Sequence, residues 1–453
     1  FSAEDIVPRQ RAERRGDGVG MRERQQCSAP LAWLTPSADG ITALAAKDEQ
    51  PVENVGGGFR LGRQWAVFEE WDGPPALVSA SCGAVLQGSL SARSVKPGTW
   101  SLGTIGGCGH PGADDRPRGP VSVAVLAAPE RPDRDDLPKY DRAALVDVSL
   151  EGEVTVAQED GVVARLQLGG VAWLKTERKA LPLEPHLHEA CSGQAAELEA
   201  GWRRAGALVF CEGTIPGADC SQAEDTVLCT LPQECRPAGG CRCYLSLCCR
   251  EGLIHLLRLL VDSSGHLTAR RSHTQGRARD GHIYEAAVAK KQPGAIEVPL
   301  GCVRFCMTPG APLELLASAR PPRQHAARKH LAYLGLEEER LPQEEGQECP
   351  RELDGFQVAA CARHGPLVVL DGAVCLTARH RYTAFARLPP DCWPERTVTL
   401  LVARGLPNGR LEIERLDVTP EGECLCPQLP GDTGLEHVVH LSGAVFGVPA
   451  ACG

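Results

Sequence analysis

Residues 226–267 and 383–424 match each other at a constant offset of 157 positions. This internal repeat limits the possible folds more than any other feature, because a chain that repeats itself must stack copies of one structural unit. The matched pairs are Thr226/Thr383, Leu231/Leu388, Pro232/Pro389, Cys235/Cys392, Pro237/Pro394, Arg258/Arg415, Leu259/Leu416, Val261/Val418 and Gly265/Gly422. They spell T-x-x-x-x-L-P-x-x-C-x-P, then strand-like residues, then R-L-x-V-x-x-x-G. Upstream, Leu208, Val209 and Gly213 parallel Leu367, Val368 and Gly372; downstream, residues 300–305 parallel 441–446.

A third, more divergent copy precedes these two. The stretch from Val78 to Gly83-Ala84-Val85 opens it, and Asp147, Val148 and Gly152 match Asp417, Val418 and Gly422. Residues 168–173 close it, and a charged, proline-rich insertion over 129–140 interrupts it. Within each copy the apolar residues alternate with polar ones, as in 121–125, 398–402 and 411–416. That period of two places one face inward and one toward water, which predicts short β-strands. Turn residues separate the runs: Ser263-Ser264-Gly265, Pro420-Glu421-Gly422 and Asn408-Gly409, the last a hairpin signal because both residues tolerate positive φ. The prolines of L-P-x-x-C-x-P would each remove a ladder donor, so that phrase predicts a fixed loop between two strands.

This order of motifs is similar to small jelly-roll head domains, of the kind found at phage tail-fibre tips and in C1q-like and related lectin-like heads. The resemblance spans roughly the three copies and rests on turns and strand edges. It implies binding of proteins or glycans without catalysis, often as oligomers. Such heads usually occur once per chain and trimerise. Three on one chain imply instead that neighbouring copies pack on each other.

The expected fold is therefore all-β: three tandem antiparallel β-sandwich, jelly-roll-like domains joined by short helical or proline-rich linkers. The boundaries are an extended tail over 1–29, a divergent repeat over 30–174, a linker over 175–197, a second repeat over 198–309, a helical linker over 310–350 and a third repeat over 351–453. Ala327, Leu331, Leu334 and Leu341 sit near helical spacing in the second linker.

Composition excludes some classes. With 43% apolar and 23% charged residues the chain is globular rather than disordered. Its longest apolar runs, such as 253–260, are far short of the about 20 residues a membrane helix needs. A net charge of −10 argues against nucleic acid as a partner, since phosphate contacts need a basic surface. The chain starts at Phe1, from which a processed N-terminus and a secreted, surface or organellar location are expected, with the compartment itself undetermined. Cysteines number 21, an odd count with no C-x-x-C. Buried apolar thiols are the leading reading, ahead of disulfides and metal ligation.

No sequence signature of a nucleophile elbow, metalloprotease, P-loop or dinucleotide site is present, so no catalytic residue and no cofactor are expected. The best exposed-aromatic candidate for binding is Trp393, inside the fixed loop where the second copy has Arg236. His380 and Arg381, just before the third copy of that loop, are further binding candidates. His186 and His188 alternate as two ligands on one strand face would, but no third ligand is evident, so they are weak metal candidates. Asp147 and Asp417 recur beside the late strand, where turn or strand roles outweigh calcium binding. His437 and His440 would point to opposite faces of a strand, and the Cys108–His110 loop lacks a third, orienting group. The expected function is a non-catalytic structural or accessory subunit that uses its repeats as a protein-binding scaffold. A secreted or surface lectin-like, adhesive glycan-binding protein is the alternative, and a hydrolase the distant third.

Overall fold

The computed structural model describes residues 52–53, 59–62, 65–67, 73–92, 98–106, 115–128, 142–158, 165–184, 187, 200–218, 220, 225–250, 253–277, 283–284, 296–316, 351–352, 355–376, 383–406, 411–427 and 437–448. Among the described residues the named elements are β-strands, apart from two single-turn 3-10 segments, and the named strands pair antiparallel. The expected linker helix over 324–341 lies outside the described residues. Of the linker residues that are described, Arg178–Ala180 pairs with Gly201–Ala205, and Ala311–Pro312 pairs with Ala360–His364.

Each segment builds a sheet around its own apolar core. In the first, a nine-stranded sheet includes Gly98–Ile105, Val121–Ala128, Arg142–Val148 and Glu153–Gln158. Its core holds Trp65, Trp100 and Trp173, with Trp65 and Trp100 edge to face at 6.4 Å. In the second, the long strands Arg242–Arg250, Leu253–Val261 and His266–Arg277 lie side by side. In the third, an eight-stranded sheet, nearly closed on itself, carries Val398–Gly405 and Leu411–Val418 at its centre. These last two strands pair from Val398↔Val418 to Gly405↔Leu411, as the Asn408-Gly409 signal demands, although the turn itself lies outside the described residues.

The repeat is visible bond by bond. Pro232 and Pro389 have the same backbone angles (φ −56°, ψ 149° and φ −57°, ψ 147°) and each starts a 3-10 turn, Gln233–Cys235 and Pro390–Cys392. The N–H groups of Cys235 and Cys392 donate to those prolines' carbonyls at 2.9 Å, and both cysteines are buried. Just ahead, the N–H groups of Ile105, Leu231 and Leu388 donate to Gly152, Gly265 and Gly422 at 2.7, 2.7 and 2.8 Å. Those three glycines have φ of 82°, 87° and 73°, where a side chain would be strained.

The closing strands repeat as well. Leu168, Leu300 and Leu441 donate to Gly88, Gly213 and Gly372 at 2.8, 3.0 and 2.8 Å. The glycine of the first segment that answers Gly213 and Gly372 is therefore Gly88, five residues beyond the Gly83 that the sequence pattern suggests.

Three further contacts join the segments in a ring. A Cβ on Gly169 would collide with the Thr399 carbonyl of the third segment, and one on Gly301 with the Ser122 carbonyl of the first. A Cβ on Gly443 would collide with the Cys302 carbonyl of the second and stand 3.0 Å from the Tyr244 ring. Thus the first segment's closing turn rests on the third, the second's on the first, and the third's on the second. A fourth apolar core lies between them, built from Val85, Ala172 and Leu174, from Leu208, Phe210 and Cys306, and from Leu367, Val369 and Val445. The cross-strand pairs Val85↔Ala172, Phe210↔Arg304 and Val369↔Val445 occupy equivalent places in the three segments, and all of these residues but Arg304 belong to that core.

Candidate functional site

The junction of the three segments holds several buried charged groups, among them Arg203, Glu212, Arg242 and Asp371. The position just before each of the repeated glycines Gly88, Gly213 and Gly372 is polar: Gln87, Glu212 and Asp371. The Gln87 side-chain oxygen accepts the Gly447 N–H at 2.9 Å, tying the first segment to the third. Glu212 pairs with Arg203, and both side chains are buried. Asp371 takes the Nε of Arg242, from the second segment, at 2.7 Å, with the Arg242 side chain fully buried. The Ser442 hydroxyl donates to Asp371 at 2.8 Å, and the Gly372 N–H donates at 2.9 Å. Arg242 also donates to the carbonyls of Gly240 and Ala238 at 3.0 and 2.9 Å. Backbone bonds from Gln357 to Cys241 and from Cys241 to Gly355, both 3.0 Å, complete this seam.

The predicted binding aromatic has a structural task. Trp393 is half-buried against the third core, and its indole lies so close over Gly422 that no Cβ could fit there. Its Nε1 donates to the Leu388 carbonyl at 2.9 Å. Arg236 does the same in the second segment: its aliphatic stem lies over Gly265 and its Nε donates to the Leu231 carbonyl at 2.9 Å. In the first segment the stem of Arg116 lies over Gly152. All three side chains cover the positive-φ glycine of a hairpin, whatever their chemistry. His380, Arg381, His186, His188 and the Cys108–His110 loop lie outside the described residues.

Asp147 and Asp417 are cross-strand partners of Ser122 and Thr399. The Ser122 hydroxyl donates to Asp147, and the Thr399 hydroxyl to Asp417 at 2.8 Å. The second segment has Cys243 opposite Leu260 at the same place, so residue pairs change together across the strands. Burial raises Asp147 above the ordinary carboxylate range, with Ser122 opposing. Among the described residues no three His, Cys, Asp or Glu side chains stand close enough to hold a metal ion.

Most of the described cysteines are buried free thiols. Cys211, Cys229, Cys235, Cys243, Cys424 and Cys426 are core residues. Burial pushes Cys229, Cys235 and Cys424 up to about 12, so these thiols are neutral and poor nucleophiles at physiological pH. Cys361 and Cys392 approach to 3.8 Å between sulfurs inside the third core.

His437 and His440 are both buried in strand His437–His440. His440 packs at 5.2 Å from the Phe356 ring, and burial, then the nearby Arg258 charge, holds it down to about 4. His437 is lowered by burial, then by Arg404, against the opposing pull of Glu412. Arg404 pairs with Glu412 and, at 3.1 Å, with Glu414. This cluster and the Arg242–Asp371 pair escaped sequence reading. Their charges stand in strands whose pattern gives no sign that the outer face is covered.

No family model, no curated protein and no solved structure matches the chain.

Proposed function

We propose that the chain is three jelly-roll-like β-sandwich units closed into a ring, and that it serves as a non-catalytic accessory subunit that binds protein partners in a larger assembly. What carries this reading is the fourth core. The faces that separate head domains would use to trimerise are consumed here within one chain, around Val85, Phe210, Val369 and their cross-strand partners. A trimer made covalent in this way has a fixed geometry and three non-identical outer surfaces, which suits one defined place in an assembly more than repeated engagement of identical ligands. Among the described residues the buried charged groups other than Arg304 are largely engaged with one another, as Arg203 is with Glu212 and Arg242 with Asp371, which fits a structural role.

The test is native purification at low salt, followed by sizing and mass spectrometry of what travels with the chain. Elution in a large complex of defined composition supports the proposal. Elution alone near 48 kDa defeats it and brings forward the glycan-binding alternative, to be examined on glycan arrays with and without calcium.

A further inference from the structure

At one equivalent position the three segments carry Ala172, Arg304 and Val445. Two of these are members of the shared apolar core, and the third is a guanidinium that is 1% exposed. Arg304 donates to the carbonyl of Gly170 and, at 3.1 Å, to that of Ala172, both in the first segment. Its guanidinium lies 5.2 Å from the centre of the Phe210 ring. The other buried arginines among the described residues have carboxylate partners: Arg203 with Glu212, Arg242 with Asp371, Arg404 with Glu414, Arg415 with Asp417. Among the described residues Arg304 has none. Burial lowers it to about 10, which still leaves it charged at neutral pH. A buried charge without a counter-charge is expensive, and a structure that keeps one invites a counter-ion.

Arg304 borders a cavity of about 30 Å³ whose walls come from all three segments, among them Gly170, Cys302, Gly443, Leu245 and Val402. One water needs roughly 10–15 Å³ by this kind of measure. The space therefore suits a monatomic ion or a pair of waters. The Cys302 thiol on its wall, pushed up to about 12 by burial, is neutral and does not supply the missing negative charge.

We infer that this cavity binds a small inorganic anion, chloride in the first instance, with Arg304 as the counter-charge that holds it at the junction of the three segments.

The test uses the full chain, purified in sodium gluconate. Thermal unfolding is followed as chloride replaces gluconate from 1 to 300 mM at constant ionic strength. Binding to the folded state alone raises Tm as chloride rises, by about 3 °C over this range. Arg304→Met, which restores the apolar character of the other two segments, removes that dependence. Crystals grown with bromide show an anomalous peak beside Arg304. Equal Tm in chloride and gluconate overturns the inference, as does a halide dependence that survives in Arg304→Met. If Arg304→Met does not fold, the bromide experiment on the unaltered chain decides, and a cavity without an anomalous peak overturns the inference.

Discussion

Acid should weaken this molecule through His440, by an amount that follows from where the ring sits. Its imidazole is 5% exposed, packed beside Phe356 and facing the Arg258 charge, and is held down to about 4 from an ordinary value of 6.5. The folded state therefore keeps the ring neutral over a range in which the unfolded chain takes up a proton. Where the unfolded state binds more protons, stability rises with pH. The contribution of His440 is fully present above pH 6.5 and is lost as pH falls toward 4. The full shift corresponds to about 3 kcal/mol, of which about 2 kcal/mol is gone by pH 5. The assay is urea unfolding at half-unit steps from pH 4 to 8, for the unaltered chain and for His440→Gln. Carboxylates contribute to both curves and cancel in the difference. The difference in stability should narrow by about 2 kcal/mol between pH 8 and pH 5. Parallel curves across that window would refute the reasoning, because a ring that titrates normally in the fold adds no such slope.

Three other outcomes follow from the same geometry. Arg242→Met leaves the Asp371 carboxylate buried at the seam without its cation and should cost about 3–5 kcal/mol, while pairing it with Asp371→Leu should recover much of that loss; chemical denaturation of the two single variants and the double variant measures it. Gly301→Ala drives a methyl group into the Ser122 carbonyl of the neighbouring segment and should cost roughly 1–3 kcal/mol, whereas Gly355→Ser, at a glycine with open space around it, should lose only the strain of its positive φ; comparing their Tm values separates crowding from backbone strain. Cys229, Cys235 and Cys424 should resist a thiol reagent in the native protein at pH 8 and react at once in denaturant; rapid native labelling at these positions would contradict their burial.

How much of this was legible in the sequence depends on the range of the interaction. The L-P-x-x-C-x-P phrase announced a fixed loop because proline restricts its own backbone, and the same 3-10 turn forms at Pro232 and Pro389. Gly265 and Gly422 were readable as turns for a similarly local reason. Period-two alternation gave the strands but says only that one face is buried. It does not report that the opposite face of Gly83–Gln87, Leu208–Glu212 and Leu367–Asp371 is covered by the other segments, which is why these strands are buried throughout. Arg304 illustrates the gap. In sequence it is one arginine among 40, and only its alignment with Ala172 and Val445 marks it as out of place. Trp393 shows a packing role that the sequence does not report. An aromatic in a loop suggested an exposed binding face, but loop residues also cap the glycine turns beneath them, and its counterpart Arg236 does that with an aliphatic stem.

The central claim is that the three segments are one closed unit rather than three beads on a string, and differential scanning calorimetry tests it most directly. A shared core around Val85, Phe210 and Val369 predicts one transition whose calorimetric and van't Hoff enthalpies agree, and predicts that Phe210→Asp lowers the whole of it. Three resolved transitions, only one of which moves in Phe210→Asp, would contradict the account.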